Sequence, residues 1–342
     1  MQKLYIIIFN LLLVTACNQS DKLPKDPLDY FSGGAIPLTG KIIDTDKEIL
    51  LGGDVKLLYD SILLVTNLRD TIHLSIVDIK NGKLLKQMIR QGVGPGELTN
   101  LIFVANSYAD SLWICDPNIK MLHRIDVERA ISETNYKTEK VFSYNVGSLK
   151  FFSVGEYFIG HGFLSDKRFD IYDKTGTYIK STLQYPKPKQ YSNIPDRVFA
   201  TGFQGSYTVH PDNRHFAFAA TSENINIYRL DGDSIIMTRN LNFNEPKMRR
   251  RGEIMIDSRE SKIAFTGIGS TAQNIYVLYL GKELTLYSNV SDNLLVFDWL
   301  GNPVKKYKLD IPLFSMCINS DGTKMYGIAH YPETIIVQYD LE

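Results

Sequence analysis

One pattern recurs along this chain and leaves few folds open to it: a β-rich run that ends in a tight turn carrying Asp and Gly. Val77-Asp78-Ile79-Lys80-Asn81-Gly82-Lys83 has the same shape as Ile171-Tyr172-Asp173-Lys174-Thr175-Gly176-Thr177. It returns at Ile227-Tyr228-Arg229-Leu230-Asp231-Gly232 and at Val296-Phe297-Asp298-Trp299-Leu300-Gly301-Asn302, and in truncated form at Val337-Gln338-Tyr339-Asp340-Leu341. Strand residues closed by a Gly-containing turn mark a hairpin. No long helical apolar period interrupts the series beyond the N-terminal segment. Hairpins repeated every roughly 40–60 residues predict propeller blades.

Laid out as four-stranded units, the chain contains six, at about 54–90, 101–146, 148–184, 205–241, 263–309 and 314–341. The expected fold is therefore all-β: a six-bladed β-propeller of four-stranded antiparallel blades. The last unit has only three strands, while Lys41-Ile42-Ile43-Asp44 has no blade of its own. Placing that N-terminal strand at the outer edge of the last blade closes the ring and removes open sheet edges. Two irregularities stand out, an insertion from Val127 to Lys140 with room for a short helix and a long segment from Gly281 to Ser291. Dividing the fifth unit at the second of these gives the alternative of seven blades.

The N-terminus has its own chemistry. After Met1-Gln2-Lys3 comes an apolar run from Leu4 to Val14, broken only by Asn10, and then Thr15-Ala16-Cys17. A short basic region, an apolar stretch of about ten residues and small residues before a cut site make a secretory signal. The run is short for a membrane span, which needs about twenty apolar residues. Val14-Thr15-Ala16-Cys17 resembles the lipobox of bacterial lipoproteins, which implies cleavage before Cys17 and lipid on its thiol. Each buried methylene then contributes about 0.8 kcal/mol to membrane anchoring. Asn18, rather than an aspartate, implies by the same resemblance transport to the outer membrane. The expected organisation is a signal peptide over 1–16, a lipidated cysteine and flexible tether over 17–35, and a single propeller domain over 36–342.

Composition narrows the partners. Basic and acidic residues balance at 38 each, so no polyanion affinity and no nucleic-acid partner is expected. Beyond Cys17 only Cys115 and Cys317 remain, each alone in an apolar strand pattern. A pair is open to them in an oxidising compartment; two buried free thiols are the plainer reading.

Arg90-Gln91-Gly92-Val93-Gly94-Pro95-Gly96-Glu97-Leu98 ends the first unit. This Gly-x-Gly-Pro-Gly-Glu element after a strand resembles the TolB-like six-bladed propellers and their NHL-type relatives. The resemblance implies a six-bladed ring and an extracytoplasmic location, and assigns no substrate. A phosphate loop would need a Lys and a following helix; here a strand follows and Glu97 repels anions. The glycines are instead expected to permit positive φ in a tight crossing between blades, with Glu97 accepting backbone N–H groups.

In a propeller, loops between second and third strands and between blades share one rim, where binding residues gather. Aligning the ends of the second strands gives Asn67, Asp116, His161, Thr221, Tyr279 and His330 as a candidate ligand-binding set. Arg249, Arg250 and Arg251, in the connection between the fourth and fifth blades, add bidentate donors for carboxylate, sulfate or phosphate, although Glu245, Glu253, Asp257 and Glu260 lie nearby. Joint metal ligation by His161 and His330 is not expected, since their blades lie across the ring from each other. Neither a cofactor nor a metal site is read from the sequence.

Catalytic signatures are absent: the chain has no Gly-x-Ser-x-Gly elbow and no His-Glu-x-x-His. Val209-His210-Pro211-Asp212-Asn213 and Ile318-Asn319-Ser320-Asp321-Gly322 read as turns between first and second strands, on the opposite rim. The functional expectation is a membrane-anchored extracytoplasmic propeller that binds a small molecule, glycan or envelope protein. The alternative is a glycan- or lactone-directed hydrolase or lyase with its site on the rim.

Overall fold

The aspartates of the repeated turns explain why the pattern recurs. The computed structural model describes residues 23–68, 70–106, 112–144, 147–162, 167–245, 247–257, 262–283, 290–330 and 333–341. The Asp173 carboxylate accepts the N–H groups of Thr175 and Thr177 at 2.9 and 2.8 Å, and Asp298 accepts those of Leu300 and Asn302 at 2.9 and 2.8 Å. Gly82, Gly176 and Gly301 adopt φ of +68°, +88° and +82° in these turns, a left-handed conformation that suits glycine. Just before the turns the strand register slips at Ile76/Val77, Ile171/Tyr172 and Val296/Phe297. Such bulges strengthen the right-handed twist of the outer strands.

The blades stand as six sheets, five of four strands and one of five, and a separate two-stranded hairpin completes the strand inventory among the described residues. Their inner strands are Gly52–Leu58, Ile102–Phe103, Ser148–Val154, Gly205–Val209, Lys262–Ser270 and Ser315–Ile318. Apolar clusters fill the seams between blades: Phe152, Phe169, Phe216 and Tyr228 between the third and fourth, Ile227, Phe265 and Val277 between the fourth and fifth. The ring closes as the strand count requires, with Lys41–Ile43 antiparallel to Thr334–Asp340 and Ile42 opposite Val337. The insertion in the second blade holds the helix Val127–Ser132.

Two expectations are corrected. The seven-bladed alternative fails, because Asn274–Glu283 and Ser291–Asp298 pair directly, from Asn274 opposite Asp298 to Tyr279 opposite Asn293. The fifth unit is thus one sheet, which gains Ile36–Leu38 parallel to its outer strand. Nor is the described part of the 17–35 segment a loose tether. Asp26 caps a short 3-10 helix, Pro27–Tyr30, by accepting the Leu28 N–H at 2.9 Å. Tyr30 and Phe31 then pack on Phe243 and Phe297, with ring centroids 5.6 and 5.1 Å apart. Aromatic side chains bury large areas, and these two hold the segment to the fourth and fifth blades. The proposed signal peptide and Cys17 lie outside the described residues. Among the described residues, no helix is long and apolar enough to cross a membrane.

The segment after the closing strand leans on the first blade, where Asp46 N–H donates to the Gly82 carbonyl at 3.0 Å and its carboxylate accepts the Leu84 N–H at 2.7 Å. A Cβ on Gly82 would lie 1.8 Å from the Asp44 carbonyl oxygen, whereas one on Gly232 meets nothing within 4 Å. Both glycines have positive φ, +68° and +59°. Gly232→Ala is therefore expected to cost about 1 kcal/mol of left-handed strain alone. Gly82→Ala should cost at least ~1 kcal/mol more, from the clash. Urea melts of the two variants measure the difference; equal losses would mean that the closing segment does not press on this turn.

Candidate functional site

The inner strands surround a central cavity of about 270 Å³. Its polar groups lace neighbouring blades together. Ser315 Oγ donates to the Gly53 carbonyl at 2.6 Å across the closing seam, and the Thr208 and Ser270 hydroxyls meet at 2.7 Å between blades four and five. Two lysines do the same work with charge. Lys150 Nζ donates to the Gly205 carbonyl at 2.9 Å, bridging blades three and four. Lys56 Nζ donates to the Val104 carbonyl at 3.0 Å and to Asn106 Oδ1, bridging blades one and two.

An ammonium carries three donors, so neither lysine exhausts its capacity on these bonds. Among the described residues, no carboxylate forms an ion pair with either. Lys56 is half-buried in the channel wall, its ammonium drawn against the Val104 carbonyl and Asn106. That loss of bulk water pulls its pKa from 10.5 down to about 7. Asp54, also in the cavity wall, is exposed. Cys317 lines the channel too, but burial pushes its thiol pKa up, away from the reactive thiolate. Both described cysteines are free thiols.

The residues aligned at the second-strand ends have other partners. Asn67 Nδ2 donates to the Ile72 carbonyl and Ser75 Oγ at 2.8 and 3.1 Å. Asp116 accepts the N–H groups of Thr99, Asn100 and Asn118 at 2.6, 3.1 and 3.0 Å, fastening the crossing from the first blade. Thr221 Oγ1 donates to the Gln204 carbonyl at 3.2 Å, and Tyr279 Oη donates to Asp26 at 3.1 Å. His330, half-buried, lies 3.3 Å from Thr334 Oγ1 and edge-on to Phe314. None of these described residues, nor His161, lines the channel cavity. In the glycine-rich crossing, Glu97 accepts the Gly94 N–H at 2.9 Å and Gly96 has φ +85°.

Arg249, Arg250 and Arg251 are exposed, but on a hairpin rather than a loop: Met248–Arg251 pairs with Ile254–Asp257. The hairpin packs on the helix Asp196–Gly202, where Thr201 Oγ1 accepts the Met255 N–H at 2.6 Å. Arg250 is partly neutralised by Glu253 at 3.2 Å.

His161 belongs to a buried cluster that the sequence gave little sign of. Its neighbour Arg168 is 2% exposed, with its guanidinium 4.8–5.3 Å from the rings of Phe169, Phe203, Phe218 and Tyr228. Nε and Nη2 of Arg168 and Nε2 of His161 have no hydrogen-bond partner among the described residues. Burial, and secondarily the charge of Arg168, hold the His161 pKa well below 6.5, so its imidazole is neutral. The unfolded chain takes up a proton here below pH 6.5 and the folded chain does not. Stability must therefore fall as the pH drops below that value. His161→Leu is expected to remove up to ~1.4 kcal/mol per pH unit of that slope. Urea melts across the acid range read it directly, and a slope unchanged in the variant would assign the effect to other groups.

Lys56, Lys150 and Arg168 are the residues that sequence reasoning missed. A usable signal existed for the lysines, each flanked by apolar residues in an innermost strand, Val55-Lys56-Leu57 and Leu149-Lys150-Phe151.

Known proteins bear on this architecture. The model of a family described as TolB-like 6-blade propeller-like matches residues 54–321. A candidate exported protein from Bacteroides fragilis superposes with a TM-score of 0.56 at 12% identity, over 88% of this chain and 94% of its own. A member of the DUF4221 family from Bacteroides vulgatus gives a TM-score of 0.58 at 13% identity, over 90% of this chain and 97% of its own. At such identities the likeness concerns the fold. No curated protein matches the sequence.

Proposed function

This chain belongs to the TolB-like six-bladed propellers, and from that premise we propose that it is a lipid-anchored extracytoplasmic binding protein whose ligand brings an anionic group into the central channel. The observation that carries this reading is the pair of channel lysines, Lys56 and Lys150, which serve as seam bridges without an acidic partner. A carboxylate or phosphate entering there meets two lysines without an acidic partner, one of them Lys56, whose proton the anion stabilises, and nearby hydroxyls. A volume of about 270 Å³ suits a small molecule rather than a polymer. The signal-like N-terminus, the lipobox resemblance and a candidate exported neighbour support the location, and Asn18 supports the outer membrane as the anchor point.

Anion binding favours protonated Lys56, so affinity is expected to fall as pH rises through about 7. The test is a thermal-shift screen of the detergent-solubilised chain against small carboxylates, phosphates and sugar acids. A ligand at a hundred times its dissociation constant adds about 2.7 kcal/mol of stability. Lys56→Met should abolish the pH dependence and weaken binding at least tenfold, with Lys150→Met weakening it further. Hits that survive both substitutions, or that vanish only when Arg249, Arg250 and Arg251 become Ala, would move the site to the exposed hairpin.

The anchor makes a separate prediction. The intact chain should partition into the detergent phase and incorporate labelled fatty acid, and Cys17→Ala should do neither. Equal partitioning of the two would remove the lipid from the proposal.

A further inference from the structure

On the rim opposite the second-strand ends, the turn between the first and second strands of blade four brings two imidazoles and a carboxylate together. We propose that His210, Asp212 and His215 form a binding site for a borderline divalent cation of the Zn²⁺ type. Their ligand atoms all lie within 4.8 Å of one another. His210 Nδ1 is 2.9 Å from Asp212 Oδ1, and His215 Nδ1 is 2.6 Å from Asp212 Oδ2. Around a tetrahedral zinc with bonds of about 2.0–2.2 Å, ligand atoms stand roughly 3.3–3.6 Å apart. Admitting the ion takes small side-chain rotations that release the Asp212 N–H from His210 Nδ1, with an open position left to solvent. Two imidazoles and one carboxylate are also the donor set that zinc accepts.

The surroundings fix the donors in the required sense. His210 Nε2–H donates to the Ala272 carbonyl of the neighbouring blade at 2.9 Å, which makes Nδ1 the acceptor; it takes the Asp212 N–H at 2.9 Å and lies beside the Asp212 carboxylate. Metal-binding histidines are oriented in just this way, by a second hydrogen bond to a carbonyl or carboxylate. Trp299 packs edge-on to His210 at 4.8 Å, and its own Nε1–H donates to the Thr271 carbonyl at 3.0 Å. Asp212 Oδ1 accepts the Arg214 and His215 N–H groups at 2.8 and 3.0 Å, so the turn holds the carboxylate in place while Oδ2 faces His215.

An independent comparison lies within the same ring. Blade six makes the equivalent turn with Asn319, Asp321 and Lys324 at the same spacing. There Asp321 accepts the Thr323 N–H at 2.9 Å and Asn319 Oδ1 accepts the Lys324 N–H at 2.8 Å. The turn thus forms without any imidazole. In blade four His210 also serves the backbone, through the Asp212 N–H and the Ala272 carbonyl, but the sixth blade shows that an amide and a lysine suffice for such a turn; here two imidazoles converge on the carboxylate that the turn already holds.

The test uses the full chain in mild detergent, without an affinity tag and after chelator treatment. Zn²⁺ alone is titrated by calorimetry, and Co²⁺ alone by visible absorption. The expected result is stoichiometric Zn²⁺ uptake and a tetrahedral Co²⁺ spectrum, with loss of the ligand in His215→Gln weakening uptake by at least the ~10-fold that removing an outer-shell partner costs. The double variant His210→Asn/His215→Lys copies the turn of blade six, so it should still fold, with a metal-free melting temperature lowered by loss of the Ala272 and Trp299 contacts, and should lose the metal-induced rise in melting temperature together with the binding. Absence of saturable uptake by the parent chain would overturn the proposal, as would undiminished uptake by the double variant.

Discussion

The ring depends on one short pairing. Lys41–Ile43 completes the sixth blade, and without it Thr334–Asp340 would present a bare edge, the feature through which sheets aggregate. Because the closing strand comes from the opposite end of the chain, the first and last blades cannot find both neighbours until the two ends meet. The same N-terminal stretch continues in both directions. Backwards, Ile36–Leu38 lengthens the fifth blade; forwards, Asp46 ties to the outer hairpin of the first. Three consecutive blades are thereby fastened by one segment. The Gly82 turn carries part of that load, since only a residue without a side chain lets the Asp44 carbonyl approach it.

At the inner face, the demands of assembly shape the chemistry of the channel. Inner strands have a free edge towards the axis, so their backbone groups need partners from the next blade. Side chains supply them: Ser315 reaches Gly53, Lys150 reaches Gly205, and Lys56 reaches Val104. A hydroxyl does this without charge. A lysine does it with an amine, and each one used at a seam leaves spare N–H donors at the wall of a cavity of about 270 Å³. Where the ring recruits lysines, its stitching also leaves the donors on which the proposed anion binding rests.

How far this was legible in the sequence follows from the range of the interactions. The hairpins are local: Asp173 bonds to residues two and four ahead, and Gly176 sets the turn, so they can be read from a seven-residue window. The closing strand was legible by subtraction, as one strand too few at the end and one too many at the start. The docking of Tyr30 and Phe31 was not, because Pro24 and Pro27 among polar residues look like a linker. Their partners, Phe243 and Phe297, are more than two hundred residues away. Lys56 hid for a different reason. In an alternating strand a polar residue normally faces water, and only the ring geometry turns that position towards an enclosed channel. His215 was concealed by the turn itself, whose regular hydrogen bonds give no sign that its side chain meets His210 and Asp212.

Lys56 and Arg168 show the same conflict met in two ways. Each is a cation held away from bulk water without an acidic partner among the described residues. An arginine cannot relieve the strain by losing its proton, so Arg168 is stabilised by the faces of four rings. Each such contact contributes about 2 kcal/mol when desolvated. That environment is rigid, and its apolar partners offer a ligand no route to the charge. A lysine does have the other recourse, and burial brings the Lys56 pKa to about 7. Its charge can then be restored by whatever anion arrives. The buried arginine therefore serves the seam between blades three and four, whereas the lysine in the channel can respond to an occupant, which is the property a binding site requires.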